Sequence, residues 1–222
     1  MNTFQIYRYG NPEAEMVLLQ MVGEHDMGSL EREAELIREL SGEDFLLAAV
    51  KTGDWNGDLS PWPAPAVFGK EDFGGGAEAT LGSLLEEVIP SLTDPGAGPK
   101  KQLIIGGYSL SALFALWAGT QTDLFAGIAA ASPSMWYPDF TDFLRENPPR
   151  VDAVYLSLGN KEEKTRNPVM ARVGEAIREA EDILKAAGKD CTLEWNQGNH
   201  FKEPELRTAK GFAWVMGRCL KE

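Results

Sequence analysis

Five short, continuous apolar runs recur along the chain, and segments with helical periodicity lie between them. Apolar runs of this length are typical of strands that are buried on both faces of a sheet. The runs are MVLLQMV (16–22), FLLAAV (45–50), QLIIGG (102–107), AGIAAAS (126–132) and VYLSL (154–158). This alternation predicts an α/β fold with a mainly parallel sheet, in which ligands bind where strands end and loops begin.

Amphipathic segments between these runs predict the helices. The first is expected to begin after a cap at Ser29 and to end at Gly42. The other predicted helices cover residues 77–89, 110–118, 168–187 and 206–220. Pro and Gly recur between Lys51 and Gly76 without a helical or alternating period, so this connection is predicted to be one long loop.

Composition limits the partners that such a chain can have. Its 222 residues, 43% of them apolar, suffice for a sizeable core, and the length favours a single domain over residues 1–222. The formal net charge of -13 argues against nucleic acid or an anionic membrane surface as partners, because both need clustered Lys and Arg. We find no signal-peptide pattern and no apolar run near the ~18 residues of a membrane span, so we expect a cytoplasmic protein.

A single serine lies where the third apolar run meets the next predicted helix. The sequence Gly107-Tyr108-Ser109-Leu110-Ser111 fits the G-x-S-x-G pattern of a nucleophile elbow, except that Ser111 replaces the last glycine. Such a tight turn holds a hydroxyl clear of the backbone, with helix amides facing a developing oxyanion. We therefore predict Ser109 as a nucleophile and the Leu110 amide as an oxyanion donor; the alternative is a serine that only caps the helix.

Chain order guides the search for the base and the acid. Of the two histidines, His25 precedes Ser109, whereas His200 follows the apparent strand TLEWN and lies in a loop, as the order Ser, acid, His requires. The acid is expected just after the strand VYLSL. Glu162 is predicted there and Glu163 is the close alternative, unless the turn NKEEK is only a solvated charged turn.

The second oxyanion donor should come from the loop after the first apolar run. In MVGEHDMG, the amides of Gly23 and Glu24 are the predicted donors. His25 is their neighbour and is expected either to touch substrate or to hydrogen-bond within the loop. It is a poor candidate for the base, because it occupies the loop that should hold the oxyanion.

Aromatic residues in the long connection suggest a pocket wall. Trp55, Trp62 and Phe68 are predicted to bind substrate, and Tyr108 is predicted to join them from the elbow. The alternative is that the aromatic residues of the connection fix it onto the sheet.

Two ligand motifs are excluded. Asp54, Asn56 and Asp58 alternate as in a calcium loop, but Leu59 stands where such a loop needs glycine and Pro65 where it needs glutamate. The glycine-rich stretch GGGAEAT matches neither a phosphate loop nor a dinucleotide fingerprint. We expect no metal and no nucleotide.

With these residues, the chain resembles esterases of the α/β-hydrolase superfamily, in the branch of S-formylglutathione hydrolases, feruloyl esterases and ferric-siderophore trilactone esterases. The resemblance covers nearly the whole chain and rests on IIGGYSLSALFAL (104–116), AGIAAASPSMWYP (126–138), LSLGNKEEK (156–164) and GNHF (198–201). It implies an α/β-hydrolase fold with helices on both faces of the sheet and no large cap domain. Carried over to this chain, it makes Ser109 the nucleophile, Glu162 the acid and His200 the base.

The resemblance also sets expectations for the pocket and the activity. Some siderophore esterases resemble a Ser-His dyad, so a dyad remains an alternative to the triad. The pocket should be bounded by the loop from Asp54 to Phe73 and by Trp136. The expected activity is hydrolysis of a small-molecule carboxylic ester, thioester or lactone through an acyl-enzyme, without a cofactor, by a monomer or homodimer. The alternatives are a non-catalytic relative that binds a small ligand and an acyltransferase.

Overall fold

The computed structural model describes residues 4–93 and 101–220, which contain a seven-stranded and a two-stranded sheet. The strands are β1 (Gln5–Gly10), β2 (Met16–Val22), β3 (Leu46–Lys51), β4 (Pro63–Ala64), β5 (Phe73–Gly74), β6 (Gln102–Tyr108), β7 (Phe125–Ala131), β8 (Ala153–Gly159) and β9 (Asp190–Asn196). The large sheet has the order β1-β3-β2-β6-β7-β8-β9. Within the described ranges, β1 is antiparallel to β3 and the other neighbouring strands of this sheet are parallel. The predicted mainly parallel sheet is confirmed.

Helices cover both faces of this sheet. They are α1 (Leu30–Ser41), α2 (Trp55–Leu59), α3 (Ala77–Ser83), α4 (Ile89–Leu92), α5 (Leu110–Gln121), α6 (Phe140–Glu146), α7 (Val173–Ala186) and α8 (Pro204–Cys219). Alternate residues of β2 belong to two separate cores. Val17 and Leu19 pack in the core that includes α5, whereas Met16 and Leu18 pack in the core that includes α1 and α8. The continuous apolar run of β2 follows from burial on both faces.

The five apolar runs and TLEWN all lie within strands of the large sheet, whereas β1 had no sequence signal. Its side chains are mostly half-buried or exposed, and its sequence QIYRYG contains no continuous apolar run. An edge strand loses the pattern because one of its sides faces solvent.

The connection between Lys51 and Gly76 is more structured than predicted. It contains the short helix α2 and the antiparallel pair of β4 and β5, so the prediction of one unbroken loop was wrong. The Asp54 carboxylate accepts a hydrogen bond from the Gly57 amide and so caps the start of α2. A helix this short completes barely one turn, so its sequence shows no period.

Helix ends differ from prediction by several residues: α5 continues to Gln121 and α8 begins at Pro204. The segment predicted at 77–89 continues to Leu92 and includes a π-helical turn at Leu84–Val88. The segment predicted from residue 168 begins its α-helix at Val173, after a 3-10 turn. Ser29 lies at the start of α1, but its hydroxyl donates to the Asp26 carbonyl rather than accepting from the helix. None of the helices in the described part of the chain is long and apolar enough to cross a membrane.

Two glycines on α8 offer a matched test of how closely this helix packs on the sheet. A Cβ at Gly211 would lie 2.9 Å from the buried ring of Tyr155, whereas a Cβ at Gly217 would meet nothing within 4 Å. We expect Gly211→Ala to lower the free energy of unfolding by about 1–3 kcal/mol through overpacking. Gly217→Ala should raise it by about 0.5–1 kcal/mol through helix propensity. Urea unfolding of both variants measures the difference, and equal effects would contradict this packing.

Candidate active site

Ser109 occupies a strained turn between β6 and α5. Its φ of 59° and ψ of -121° are uncommon for a residue other than glycine. The turn also restricts its neighbours, because a Cβ at Gly107 would lie 2.1 Å from the Ser111 hydroxyl oxygen. Ser111, where the elbow pattern has glycine, donates a 2.7 Å hydrogen bond to the Met21 carbonyl of β2. The departure from the pattern therefore ties the start of α5 to the end of β2.

The structure brings Ser109, His200 and Glu162 together. The Ser109 Oγ lies 3.0 Å from Nε2 of His200, and Nδ1 of the same ring lies 2.7 Å from Oε2 of Glu162. The three residues follow different strands, β6, β9 and β8, whose carboxyl ends meet at one edge of the sheet. Both distances lie within the reach needed for proton transfer and for orientation of the imidazole.

Glu162 is the carboxylate at this site, and Glu163 points elsewhere. Glu163 forms an ion pair with Arg178 at 3.1 Å. The other oxygen of Glu162, Oε1, accepts hydrogen bonds from the Gly159 amide at 2.7 Å and the Ser132 hydroxyl at 2.8 Å. Burial alone would raise the pKa of Glu162, but the hydrogen bond and charge of His200, with the Gly159 and Ser132 donors, hold it below its usual value. Glu162 is therefore ionised at neutral pH.

The residue that the sequence reasoning missed is Arg207 on α8. Its side chain is 2% exposed and its Nη1 lies 2.9 Å from Oε1 of Glu162. Its Nη2 donates to the carbonyls of Gln197 and Asn199 at 3.1 and 3.0 Å, which fixes the loop that carries His200. The sequence held only a weak indication that Arg207 is buried. Arg207 lies four residues before Gly211, which places both on the face of α8 that packs on the sheet.

Tyr108 holds the backbone of His200 through a hydrogen bond. Its hydroxyl donates to the His200 carbonyl at 2.6 Å and accepts from Arg207 at 3.1 Å, and the Tyr108 and His200 ring centroids are 5.0 Å apart. Burial, followed by the charge of Glu162, raises the pKa of Tyr108 to about 12, so the phenol stays neutral. Tyr108 was predicted to bind substrate, whereas its hydroxyl is taken up in holding the histidine loop.

The predicted oxyanion donors lie at the start of α5 and in the loop after β2. Leu110 is the first residue of α5, where amides lack acceptors within the helix. In the loop after β2, the Gly23 amide already donates to the Asp26 carboxylate at 2.8 Å. Glu24 begins a 3-10 turn, so its amide is at an open helical end as well. This geometry favours Glu24 over Gly23 as the second predicted donor.

His25 packs within that loop. Its ring lies edge-on to Trp55 at 4.7 Å between centroids, and its Nε2 is 3.4 Å from the Asp26 carboxylate. Trp55 thus packs against the loop after β2. Of the two roles expected for His25, the contacts match the one within the loop.

The remaining predicted aromatic residues divide between two roles. Trp136 lines a cleft of about 440 Å³ beside His200, and Phe68 contacts Trp136 edge-on at 6.0 Å between ring centroids. Trp62 instead packs against Tyr137, Phe140 and Phe143, and its carbonyl accepts the Tyr137 hydroxyl. Trp62 therefore packs the connection between Lys51 and Gly76 onto the rest of the protein. Trp136 lines the cleft, and the exposed Phe68 contacts Trp136.

Two further features bear on ligands. A larger groove of about 770 Å³ lies at the opposite edge of the sheet, near the amino ends of β6–β9, and none of the predicted site residues lines it. Residues 4–93 and 101–220 contain no group of three or more His, Cys, Asp or Glu side chains that could hold a metal ion.

A buried acid lies behind the β2 loop. Glu33 of α1 is buried and accepts a 2.7 Å hydrogen bond from the Gln20 amide. Burial, reinforced by the charges of Asp26 and Glu205 against the Gln20 hydrogen bond, raises its pKa to about 8. Glu33 is therefore protonated in the folded protein at neutral pH.

The comparisons with known proteins support the fold. No protein-family model and no curated protein matches the sequence. An IroE-like serine hydrolase from Shewanella oneidensis matches with a TM-score of 0.76 and 14% identity, over 95% of this chain and 75% of that one. The siderophore hydrolase EstA from Aspergillus nidulans matches with a TM-score of 0.70 and 20% identity, over 93% and 83%.

A third match is the enterobactin esterase FES from Shigella flexneri, with a TM-score of 0.70 and 14% identity over 97% of this chain and 56% of that one. The structural neighbours thus come from the esterase branch that the sequence resembles. At these identities they establish the fold, which is of the predicted α/β-hydrolase class, with no large cap within residues 4–93 and 101–220.

Arg207 provides a test of the buried charge network. Arg207→Met would remove the paired positive charge from buried Glu162 and one donor from each of two carbonyls, so we expect the free energy of unfolding to fall by about 3–5 kcal/mol. Arg32→Met is the matched control, because Arg32 pairs with Glu35 on the surface and its loss should cost less than about 1 kcal/mol. Urea unfolding at pH 7 measures both. Equal losses would show that the Arg207 network contributes no more than a surface pair.

Glu33 predicts a pH dependence of stability. Between its unfolded value of 4.5 and about 8, folded Glu33 keeps a proton that the unfolded chain has released. The stability that Glu33 contributes is therefore fully present below pH 4.5 and is lost as the pH rises through about 8. The free energy of unfolding of the wild type should fall between pH 5 and 9, and in Glu33→Gln this fall should be smaller by about 2–4 kcal/mol. Urea unfolding across this range tests it against Glu35→Gln, whose side chain is exposed; parallel curves for the wild type and Glu33→Gln would contradict it.

Proposed function

We propose that the chain is a serine hydrolase of carboxylic esters. The observation that carries the proposal is the continuous hydrogen-bonded series from the Ser109 hydroxyl through His200 to the buried carboxylate of Glu162. The strained backbone of Ser109 adds support, because strain of this kind clusters at functional sites. The neighbouring structures named as a serine hydrolase, a siderophore hydrolase and an esterase support the same general chemistry.

In the proposed reaction, the Ser109 oxygen attacks the ester carbonyl carbon while Nε2 of His200 takes its proton. Glu162 holds the opposite ring nitrogen and stabilises the imidazolium that forms. The amides of Leu110 and Glu24 would receive the negative charge on the carbonyl oxygen. Amides fixed before the reaction need no reorganisation as the charge develops.

The tetrahedral intermediate then breaks toward the acyl-enzyme. His200 returns its proton to the leaving oxygen, or sulfur in a thioester, and the alcohol or thiol departs. Water repeats the sequence with His200 as its base, and the carboxylic acid is released from Ser109. Every proton is carried by His200, so this scheme needs no cofactor. Thioesters and lactones share the reacting carbonyl and are substrates in this proposal.

A fluorophosphonate probe tests this function, because it reacts with serines activated by a neighbouring base. Wild-type protein should be labelled at Ser109 and Ser109→Ala should not. His200→Ala should slow labelling by about 10²- to 10⁴-fold through loss of the base. Ser134→Ala is the matched control, because its hydroxyl forms a long 3.4 Å hydrogen bond with the Ser109 oxygen and, within the described residues, none with His200 or Glu162. It should be labelled at the wild-type rate, as peptide mass spectrometry would show.

Absence of label in folded wild-type protein, or equal labelling of His200→Ala, would contradict the proposal. Ligand binding that persists in such an unreactive protein would instead favour the non-catalytic alternative. Preference of an added alcohol over water for the acyl group would favour the acyltransferase.

A further inference from the structure

The cleft beside His200 has three walls with different chemistry. The segment after β7 contributes Trp136, the segment after β8 contributes Lys161 and Lys164, and the histidine loop contributes Phe201 together with His200 itself. Its volume of about 440 Å³ is in the range of small-molecule sites. The cleft is therefore large enough for one part of a small ester.

The two lysines carry positive charge that the protein does not neutralise nearby. Neither Lys161 nor Lys164 has an ion-pair partner among residues 4–93 and 101–220. The acidic residues between them are already engaged: Glu162 with His200 and Arg207, and Glu163 with Arg178. In a chain with a formal net charge of -13, these two lysines therefore bring positive charge without an ion-pair partner to the cleft.

The position of Lys161 is fixed relative to the reacting groups. Its amide donates to the Gly198 carbonyl at 3.0 Å, and the Gly198 amide donates to the Asn160 side chain at 3.1 Å. These bonds join the segment after β8 to the loop that carries His200. The Lys161 backbone is therefore tied to the histidine loop, and its exposed side chain extends from this fixed point.

Two aromatic side chains give the same cleft flat apolar walls. Phe201 is 85% exposed and stands edge-on to the His200 ring at 5.6 Å between centroids. Trp136 lines the wall formed by the segment after β7 and is held by contacts with Phe68 and Phe73. A phenylalanine this exposed beside a reactive histidine gains burial only when an apolar ligand covers it.

The position of the cleft beside His200 determines which part of an ester would enter it. His200 must return a proton to the leaving oxygen, so the alcohol part of an ester has to lie on the His200 side. The carbonyl oxygen lies toward the Leu110 and Glu24 amides instead. We infer that the cleft binds the alcohol portion and selects alcohols that combine a flat apolar group with an anionic group such as a carboxylate. This inference rests on the proposed serine hydrolase function.

Binding of two matched alcohols tests the selection without requiring turnover. The probes are 4-hydroxybenzoate and 4-hydroxybenzamide, which share a ring and differ in charge. We expect wild-type protein to bind the anion about tenfold more tightly, since each exposed ion pair contributes up to about fivefold. Lys161→Met with Lys164→Met should abolish the preference. The control is Lys189→Met. Lys189 lies next to the amino end of β9, away from the cleft, so its loss should leave the preference for the anion unchanged.

The acetate esters of the same two phenols extend the test to turnover. The ratio of their kcat/KM values, corrected for alkaline hydrolysis rates, should show the same lysine-dependent preference and should fall with added salt. As a control, the phenyl monoester of succinic acid places its carboxylate on the acyl side. It should gain no lysine-dependent advantage over the phenyl ester of succinamic acid.

Equal dissociation constants for the two phenols in wild-type protein, or a preference that survives both lysine substitutions, would overturn the inference. A lysine-dependent preference confined to the acyl-side pair would overturn the assignment to the alcohol portion. Failure of the proposed function has a different signature, namely no fluorophosphonate label and no turnover of either acetate, with anion-selective binding retained.

Discussion

The carboxylate of Glu162 is the interaction on which the site depends. It accepts hydrogen bonds from His200, Gly159, Ser132 and Arg207, so four segments of the chain converge on two oxygen atoms. A buried negative charge is costly unless it is paired and fully hydrogen-bonded. These donors together favour the ionised acid, and the ionised acid in turn holds the imidazole beside the serine.

The turn at Ser109 adds a second constraint, because its backbone strain must be held by packing around it. Such strain costs on the order of 1–3 kcal/mol and persists only where neighbours over-determine the geometry. Ser111 contributes by bonding to β2, and the Ser109 amide donates to the Ala131 carbonyl at the end of β7. The hydroxyl is thus held in place by the central strands rather than by a flexible loop.

Sequence reasoning reached the parts of this protein that follow from local pattern and chain order. The buried strands were visible because burial on both faces leaves continuous apolar runs, and Ser109 and Glu162 each follow such a strand. His200 follows the half-buried edge strand β9, so chain order rather than an apolar run indicated it. The edge strand β1 and the helix α2 left no pattern, because one side of β1 faces solvent and α2 is barely one turn long. Arg207 was missed since its acceptors lie up to 99 residues away in sequence, at Tyr108. The roles of Trp62 and Phe68 likewise depended on contacts between distant segments.

The contacts of Arg207 have a consequence for how the protein is made. On a ribosome, β6, α5 and β8 emerge well before α8, so Ser109 and Glu162 exist for a time without the guanidinium that compensates the acid. During that interval Glu162 has to stay hydrated or take up a proton, and the loop carrying His200 has no arginine to hold its carbonyls. A growing chain therefore lacks the guanidinium beside Glu162 until α8 has emerged and packed. The charge balance around this acid is completed by the last helix of the described chain.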